Sequence, residues 1–218
     1  MSAEDLRARV LAAAKNEPSP PREATVVHTR RAGQAATVVT LLVFLGIGGM
    51  HLHARPEGLV MGSAVGWGLV AVVATWIAAG RTRSMLGLPR AWRLGAALAT
   101  PLALAAVWFA VSPPPGELTV PHAVSVDLVC FGFALALGLA PLAAFFVVRR
   151  EGDPVDPVTT GAALGAAAGA WGALLIDLHC EMSDPRHVLV GHVLPTVVMA
   201  LLGGALGARV LAVRATRR

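Results

Sequence analysis

Six long runs without a charged side chain are the feature that most restricts how this chain of 218 residues can fold. The runs span residues 32–54, 58–80, 94–116, 128–148, 157–176 and 187–208. A bilayer core about 30 Å thick requires about 20 apolar residues of helix to cross it. Buried helices of soluble proteins are rarely this long and apolar on every face. We therefore predict an all-α integral membrane protein with six transmembrane helices rather than a soluble helical bundle.

The composition agrees with this class of protein. Hydrophobic residues make up 56% of the chain and charged residues only 14%, whereas soluble domains contain about 25% charged residues. A net charge of +5 would suggest nucleic-acid binding in a soluble protein, but here the basic residues flank the apolar runs. We expect the lipid bilayer as a partner and no direct contact with nucleic acid. An ordinary soluble enzyme and a disordered regulator are both excluded.

The basic residues also predict the orientation of the chain in the membrane. If the N-terminus lies inside the cell, 16 of the 18 Lys and Arg residues lie on the inner side, and only Arg55 and Arg186 lie outside. Such an excess on one side is the positive-inside signal, so we place both termini in the cytoplasm. The predicted parts are a cytoplasmic N-terminal arm (1–33), a six-helix transmembrane domain (34–211) and a basic cytoplasmic tail (212–218).

Small residues recur at four-residue spacing in the last two runs. Gly161, Gly165 and Gly169 lie in the fifth run, and Gly203 and Gly207 lie in the sixth. Small residues at this spacing let two helix backbones approach closely in lipid. We predict tight helix packing within the chain at these positions, and a homo-oligomer formed through the same face is the alternative.

The N-terminal arm carries the start signal of a short amphipathic helix. Ser2 and Asp5 have the spacing of a capping box. A helix of about 13 residues is marginal alone in water, so its apolar stripe needs a surface to dock on. A partner-binding peptide, a segment docked on the membrane surface and a tail that only supplies positive charge all stay open. If the arm binds a partner, the residues expected to make the contact are Leu6, Arg7, Val10 and Leu11.

Cysteine and histidine side chains gather near the predicted outer ends of the fourth, fifth and sixth runs. They are Cys130, His179, Cys180, His187 and His192. Thiolates and neutral imidazoles bind soft or borderline metals such as Zn, Cu, Ni or Cd, although this spacing matches no strict zinc motif. The two cysteines, at similar depth on consecutive spans, also suit a disulfide. Metal or thiol sensing, a disulfide or redox pair, and inert packing therefore all stay open.

Two acidic residues lie beside this group. Asp127 begins the fourth span and Asp177 lies in the last turn of the fifth. An ionisable residue at membrane depth is a functional candidate by default, and contact with headgroup water is the alternative. Asp127, Asp177 and His187 are therefore secondary candidates for the site.

Motifs of known enzyme classes are missing from the sequence. It contains no C-x-x-C, no G-x-S-x-G, no P-loop and no H-E-x-x-H. We predict a protein that is not an enzyme and has no cofactor apart from transient heavy-metal binding. A small transporter or metal-handling permease that uses Asp177 and the histidines is the alternative function. A membrane oxidoreductase using Cys130 and Cys180 is a third, against which the missing C-x-x-C counts.

Three segments together resemble one protein family. The segment DLRARVLAAAKNEPSPPR resembles the N-terminal segment of NrsF-like bacterial membrane anti-sigma factors. The sequence LHC at the exit of the fifth run, with the later GHVLP, resembles the end of that family's domain, and Cys130 matches its other typical cysteine. The resemblance implies six transmembrane helices with a short cytoplasmic N-terminus. It also implies that the chain holds an extracytoplasmic-function (ECF) sigma factor inactive at the inner membrane.

The resemblance further implies how the hold is released. Heavy metal or oxidant outside the membrane would be sensed by Cys130 and Cys180, with His179 and His192 as supporting residues and candidate metal ligands. The arm, together with the cytoplasmic loops, would contact the sigma factor. We accordingly expect a membrane-bound regulator of transcription in the stress response.

Overall fold

The structure is a computed structural model that describes residues 22–51, 55–79, 89–112, 124–149 and 156–211, together with Asp5. These residues form helices and short connections, and no strand occurs among them. The six helices are α1 (Arg22–Gly46), α2 (Glu57–Ala79), α3 (Arg90–Val111), α4 (Val124–Arg149), α5 (Pro157–His179) and α6 (Pro185–Val210). The all-helical fold class is confirmed for this part of the chain. The predicted contacts of the arm, Leu6, Arg7, Val10 and Leu11, and the tail at 212–218 lie outside the described residues.

Five of these helices, α2 to α6, are long and apolar enough to cross a membrane. Their outward faces carry large apolar side chains. Trp76 is 72% exposed, and Leu102 and Leu201 are each 70% exposed. Large exposed apolar side chains suit contact with lipid rather than with water.

Helix α1 differs from the first predicted span, 32–54. It covers Arg22–Gly46, because Gly48 and Gly49 adopt positive φ angles of 115° and 72° and turn the chain at its end. It also includes three arginines and is not among the five helices apolar enough to span a membrane. Five of the six predicted spans are therefore confirmed by length and composition, and a span formed by α1 stays a prediction.

Helix α5 lies at the centre of the bundle. It contacts α2, α3, α4 and α6, whereas α1 packs mainly against α4. Four neighbours can surround α5 because its sequence GAALGAAAGAWG offers mostly small side chains. Successive helices run in opposite directions, so their termini gather at two faces. We call these faces the cysteine end, which contains Cys130 and Cys180, and the arginine end, which contains Arg93 and Arg149.

Helices α5 and α6 approach each other closely at the recurring glycines. A Cβ atom on Gly161 would overlap the backbone carbonyl of Gly203, and a Cβ atom on Gly165 would overlap that of Met199. The predicted tight packing within the chain is therefore confirmed. This face of α5 is covered by α6 and is not free for a second copy of the chain.

We expect Gly165→Ala to destabilise the bundle by about 3 kcal/mol, because α6 must shift to admit the methyl group. The matched control is Gly132→Ala on α4, where a Cβ atom meets nothing within 4 Å. The control should be neutral or slightly stabilising, since alanine has the higher helix propensity. Thermal unfolding of both variants in the same detergent measures the difference, and equal melting temperatures would contradict the close approach.

Candidate functional site

The two cysteines of the chain face each other at the cysteine end. Cys130 lies in the first turns of α4, and Cys180 directly follows the last residue of α5. Their Sγ atoms are 3.7 Å apart, and both are buried free thiols. Cys130 and Cys180 thus join α4 to the end of α5.

Two histidines of α6 complete a buried group with these thiols. Nε2 of His187 lies 3.1 Å from Sγ of Cys180, and the ring of His192 lies 5.2 Å from that of His187 between centroids. One potential ligand atom from each of Cys130, Cys180, His187 and His192 lies within 4.8 Å of the others. We call these four residues the cysteine–histidine cluster. Two thiols and two imidazoles form a ligand set that suits soft or borderline metals.

An irregular turn of α6 brings the two histidines together. Asp184 caps this helix by accepting a hydrogen bond of 3.1 Å from the backbone N–H of His187. Residues Val188–Val193 then form a π-helical turn. Residues five apart lie on different faces of an α-helix, but the wider π turn aligns them. Pro195 follows at the start of the regular helix and has no N–H to bond to residue 191, which accounts for the irregularity.

A carboxylate lies near the Nδ1 atom of each of the two histidines. Nδ1 of His187 lies 2.7 Å from Oδ1 of Asp127, which directs its Nε2 towards Cys180. Nδ1 of His192 lies 3.8 Å from Oδ1 of Asp177. Within the described part of the chain, neither ring nitrogen of the fully buried His192 has a hydrogen-bond partner. A carboxylate behind a histidine is the usual outer shell of a metal-binding imidazole, and an orphaned buried imidazole suits a ligand position.

Asp177 is fully buried rather than facing headgroup water. Its Oδ1 atom accepts a hydrogen bond of 3.0 Å from Arg55, and its Oδ2 atom accepts one of 2.7 Å from Ser63. Arg55 also donates to the backbone carbonyl of Asp177. Arg55, which the sequence placed outside the membrane, is itself buried. This buried ion pair ties the start of α2 to the last turn of α5, beside the cluster.

His179 does not join the four clustered residues. Its Nδ1 atom lies 2.9 Å from the carbonyl oxygen of Gly49, and its ring lies 4.6 Å from that of His51. Of the four residues assigned from the resemblance, the structure brings together Cys130, Cys180 and His192. His187, which was only a secondary candidate from the sequence, takes the fourth position in place of His179, because the π turn aligns it with His192.

A second set of buried polar contacts lies at the arginine end. Arg93 donates a hydrogen bond of 2.9 Å to Thr160, and Arg90 pairs with Asp156 at 3.0 Å. Asp156 caps α5 by accepting from the backbone N–H of Thr159. Burial opposes the charge of Asp156, but the hydrogen bonds from Thr159 and the positive charges of Arg90 and Arg93 outweigh it and lower its pKa. These contacts hold α3 to the start of α5.

The fold and the cluster together define a helical membrane protein with a buried thiol and imidazole group at one end. The model of the NrsF family, described as negative regulator of sigma F, matches residues 11–212. The chain therefore belongs to the NrsF family. This is a family of negative regulators of a sigma factor, not of enzymes, so the predicted family and regulatory class are confirmed. No curated protein and no solved structure matches the chain.

Proposed function

We propose that this protein holds an ECF-type sigma factor inactive at the bacterial inner membrane, with its arginine end and both termini in the cytoplasm. The family match supports the regulatory role. The excess of Lys and Arg on the side of the arginine end supports the orientation. The arm (1–33) and the cytoplasmic loops contact the sigma factor, and the apolar stripe of the arm supplies the main contact surface.

Co-purification tests this hold. The baits are the full chain and a chain that lacks residues 1–31, both solubilised from membranes of the native host. We expect the sigma factor with the full chain and at least about tenfold less with the shortened one, since most of the contact surface is then missing. Absence of any sigma factor from the full chain would overturn the regulator proposal. Equal recovery by both baits would overturn the role of the arm.

The cysteine–histidine cluster is the sensor that releases the sigma factor when a thiophilic metal ion arrives from outside. Its geometry carries this part of the proposal. A tetrahedral metal with bonds of about 2.3 Å to each sulfur separates the two sulfurs by about 3.8 Å, and the Sγ atoms of Cys130 and Cys180 are 3.7 Å apart. Binding requires deprotonated thiols and neutral imidazoles. The carboxylate of Asp127 accepts the N–H of His187 at 2.7 Å, and that of Asp177 lies 3.8 Å from Nδ1 of His192.

Titration of the purified full chain with Cd²⁺ tests the ligand set, with the thiolate-to-metal absorbance as readout. We expect one ion per chain. His187→Ala and His192→Ala should each weaken binding at least about tenfold, since even loss of an outer-shell partner costs that much. The matched control is His179→Ala, which changes a histidine outside the cluster and should leave the affinity unchanged. Equal effects of all three substitutions would contradict the assignment.

An oxidant is the second class of signal that the same pair of thiols can register. With peroxide, the thiols of Cys130 and Cys180 give up two protons and two electrons, a sulfur–sulfur bond forms, the peroxide bond breaks and two water molecules leave. The Sγ atoms must approach from 3.7 Å to about 2.05 Å. Metal and disulfide therefore act on the same two residues. The metal gathers the four ligand side chains around one point, whereas the disulfide draws the end of α5 towards α4.

A further inference from the structure

We propose that the turn at the end of α1 transmits the signal from the cysteine–histidine cluster to the cytoplasmic arm. We call residues 46–51 the α1 clasp. While the clasp is joined to α5, α1 stays in the position that holds the sigma factor, and closure of the cluster breaks the clasp. This inference rests on the proposed function and adds the route by which the two ends of the molecule communicate.

The clasp is a defined turn rather than a frayed helix end. The backbone N–H of Gly49 donates to the carbonyl of Phe44 at 2.9 Å, and that of Gly48 donates to the carbonyl of Leu45 at 3.1 Å. This pair of bonds, with positive φ angles at Gly48 and Gly49, is a Schellman motif. The turn sends the chain across to the end of α5.

Two hydrogen bonds join the clasp to α5 directly before Cys180. The backbone N–H of His51 donates to the carbonyl of Leu178 at 3.0 Å. The Nδ1 atom of His179 lies 2.9 Å from the carbonyl oxygen of Gly49, and a carbonyl can only accept, so this nitrogen carries the proton. Any displacement of Cys180 therefore acts on these two bonds through its nearest chain neighbours.

Phe44 places the last turn of α1 in the same apolar cluster as the two thiols. It is buried there with Cys130, Cys180, Leu137 and Ile176. Rearrangement of the two thiols must therefore repack Phe44 as well, because close-packed interiors transmit small displacements.

A cleft lies beside the middle of α1. This cleft of about 410 Å³ separates the stretch Gly33–Leu41 of α1 from Pro141 on α4 and Trp171 on α5. The helix continues without a break from the clasp to Arg22, which lies inside the predicted arm. A change at the clasp can thus move the part of the arm from Arg22 onward as one rigid rod, and the cleft leaves space for the movement.

The distances are large enough to break the clasp when the cluster closes. A tetrahedral metal requires the most widely spaced ligand atoms of the cluster, up to 4.8 Å apart, to come within about 3.8 Å of one another. A disulfide requires more, because it brings the Sγ atoms of Cys130 and Cys180 from 3.7 Å to about 2.05 Å. A shift of that size at Cys180 exceeds what a hydrogen bond at His179 tolerates, since a separation of about 3.6 Å is no longer a hydrogen bond. The signal thus favours the unclasped state by differential contact, as any switch requires.

The test compares two substitutions of His179 in the full chain. His179→Ala removes the donor to Gly49, whereas His179→Asn keeps an N–H donor near the place of Nδ1 and loses only the ring. Sigma-dependent transcription in cells is measured without any signal. We expect His179→Ala to raise it at least about fivefold, in the range of ordinary coupling between sites, and His179→Asn to stay near the wild-type level.

Two further measurements separate signalling from a loss of folding. Purified His179→Ala should still take up one Cd²⁺ with wild-type affinity, because the cluster is intact. The same substitution should release the sigma factor even when Cys130→Ser and Cys180→Ser are present, because the clasp acts after the sensor.

Two outcomes would overturn the role of the clasp and leave the proposed function intact. The first is that His179→Ala shows unchanged repression and normal induction. The second is that His179→Ala loses Cd²⁺ uptake, because His179 would then be a metal ligand. A wild-type chain that neither binds Cd²⁺ nor holds a sigma factor would overturn the proposed function, and the clasp with it.

Discussion

The double substitution Cys130→Ser and Cys180→Ser should abolish induction while the sigma factor stays bound. Serine nearly preserves the shape of cysteine, so the buried contact of α4 with the end of α5 is retained. A hydroxyl is a poor ligand for soft metals and cannot form a disulfide. Sigma-dependent transcription after addition of Cd²⁺ or diamide should remain at its uninduced level, whereas the wild type should rise about 5-fold to 150-fold.

The double variant is interpretable only if its hold on the sigma factor is intact. The variant should therefore reach the same level in the membrane as the wild type and co-purify the same amount of sigma factor. The single substitutions Cys130→Ser and Cys180→Ser distinguish the two signals. Each removes one of several ligands from a metal site, whereas either one alone abolishes the disulfide. Full induction of the double variant by both agents would refute sensing by the thiols.

The second large effect is expected at the buried ion pair of Arg55 and Asp177. Arg55→Met leaves the carboxylate of Asp177 buried without its cation, and breaking such a pair costs about 3–5 kcal/mol. Both side chains are at most 3% exposed, so solvent cannot replace the lost partner. The free energy of unfolding in detergent, measured by denaturant titration, should fall by this amount.

Two matched variants sharpen the measurement. Arg90→Met makes the same substitution at the pair with Asp156, where the arginine side chain is 74% exposed, and exposed pairs contribute about 1 kcal/mol or less. The combination of Arg55→Met with Asp177→Leu should regain much of the loss, because no buried charge remains. A loss for Arg55→Met that is no larger than for Arg90→Met would show that Asp177 keeps contact with water.

The helices were predictable because a helix that crosses lipid must be a long stretch without charged side chains. The runs 58–80, 94–116, 128–148, 157–176 and 187–208 coincide closely with α2 to α6. The boundaries differ by a few residues because charged side chains that end a run are still helical, among them Arg93, Asp127, Arg149 and Asp177. A charged residue is tolerated inside such a helix only when side chains of other helices pair with it. These pairings depend on the tertiary structure and do not follow from the sequence alone.

The site was predictable in its members and not in its geometry. Shared depth at one end suggested that Cys130, Cys180 and the histidines gather, because consecutive helices of a bundle pack side by side. The choice between His179 and His187 depends on the π turn, which arises from the position of Pro195 and from packing against α4. The burial of Arg55 was hidden as well, because a lone arginine in a loop normally remains in water.

Control of sigma binding at the arginine end by the cysteine end can be tested directly. The full chain is reconstituted in lipid nanodiscs together with the sigma factor recovered by co-purification, and the bound fraction is followed by fluorescence anisotropy of labelled sigma factor during titration with Cd²⁺. We expect tight binding without metal and at least about fivefold weaker binding once one Cd²⁺ per chain is taken up. Sigma binding that stays constant while the cluster fills with metal would contradict the coupling of the two ends.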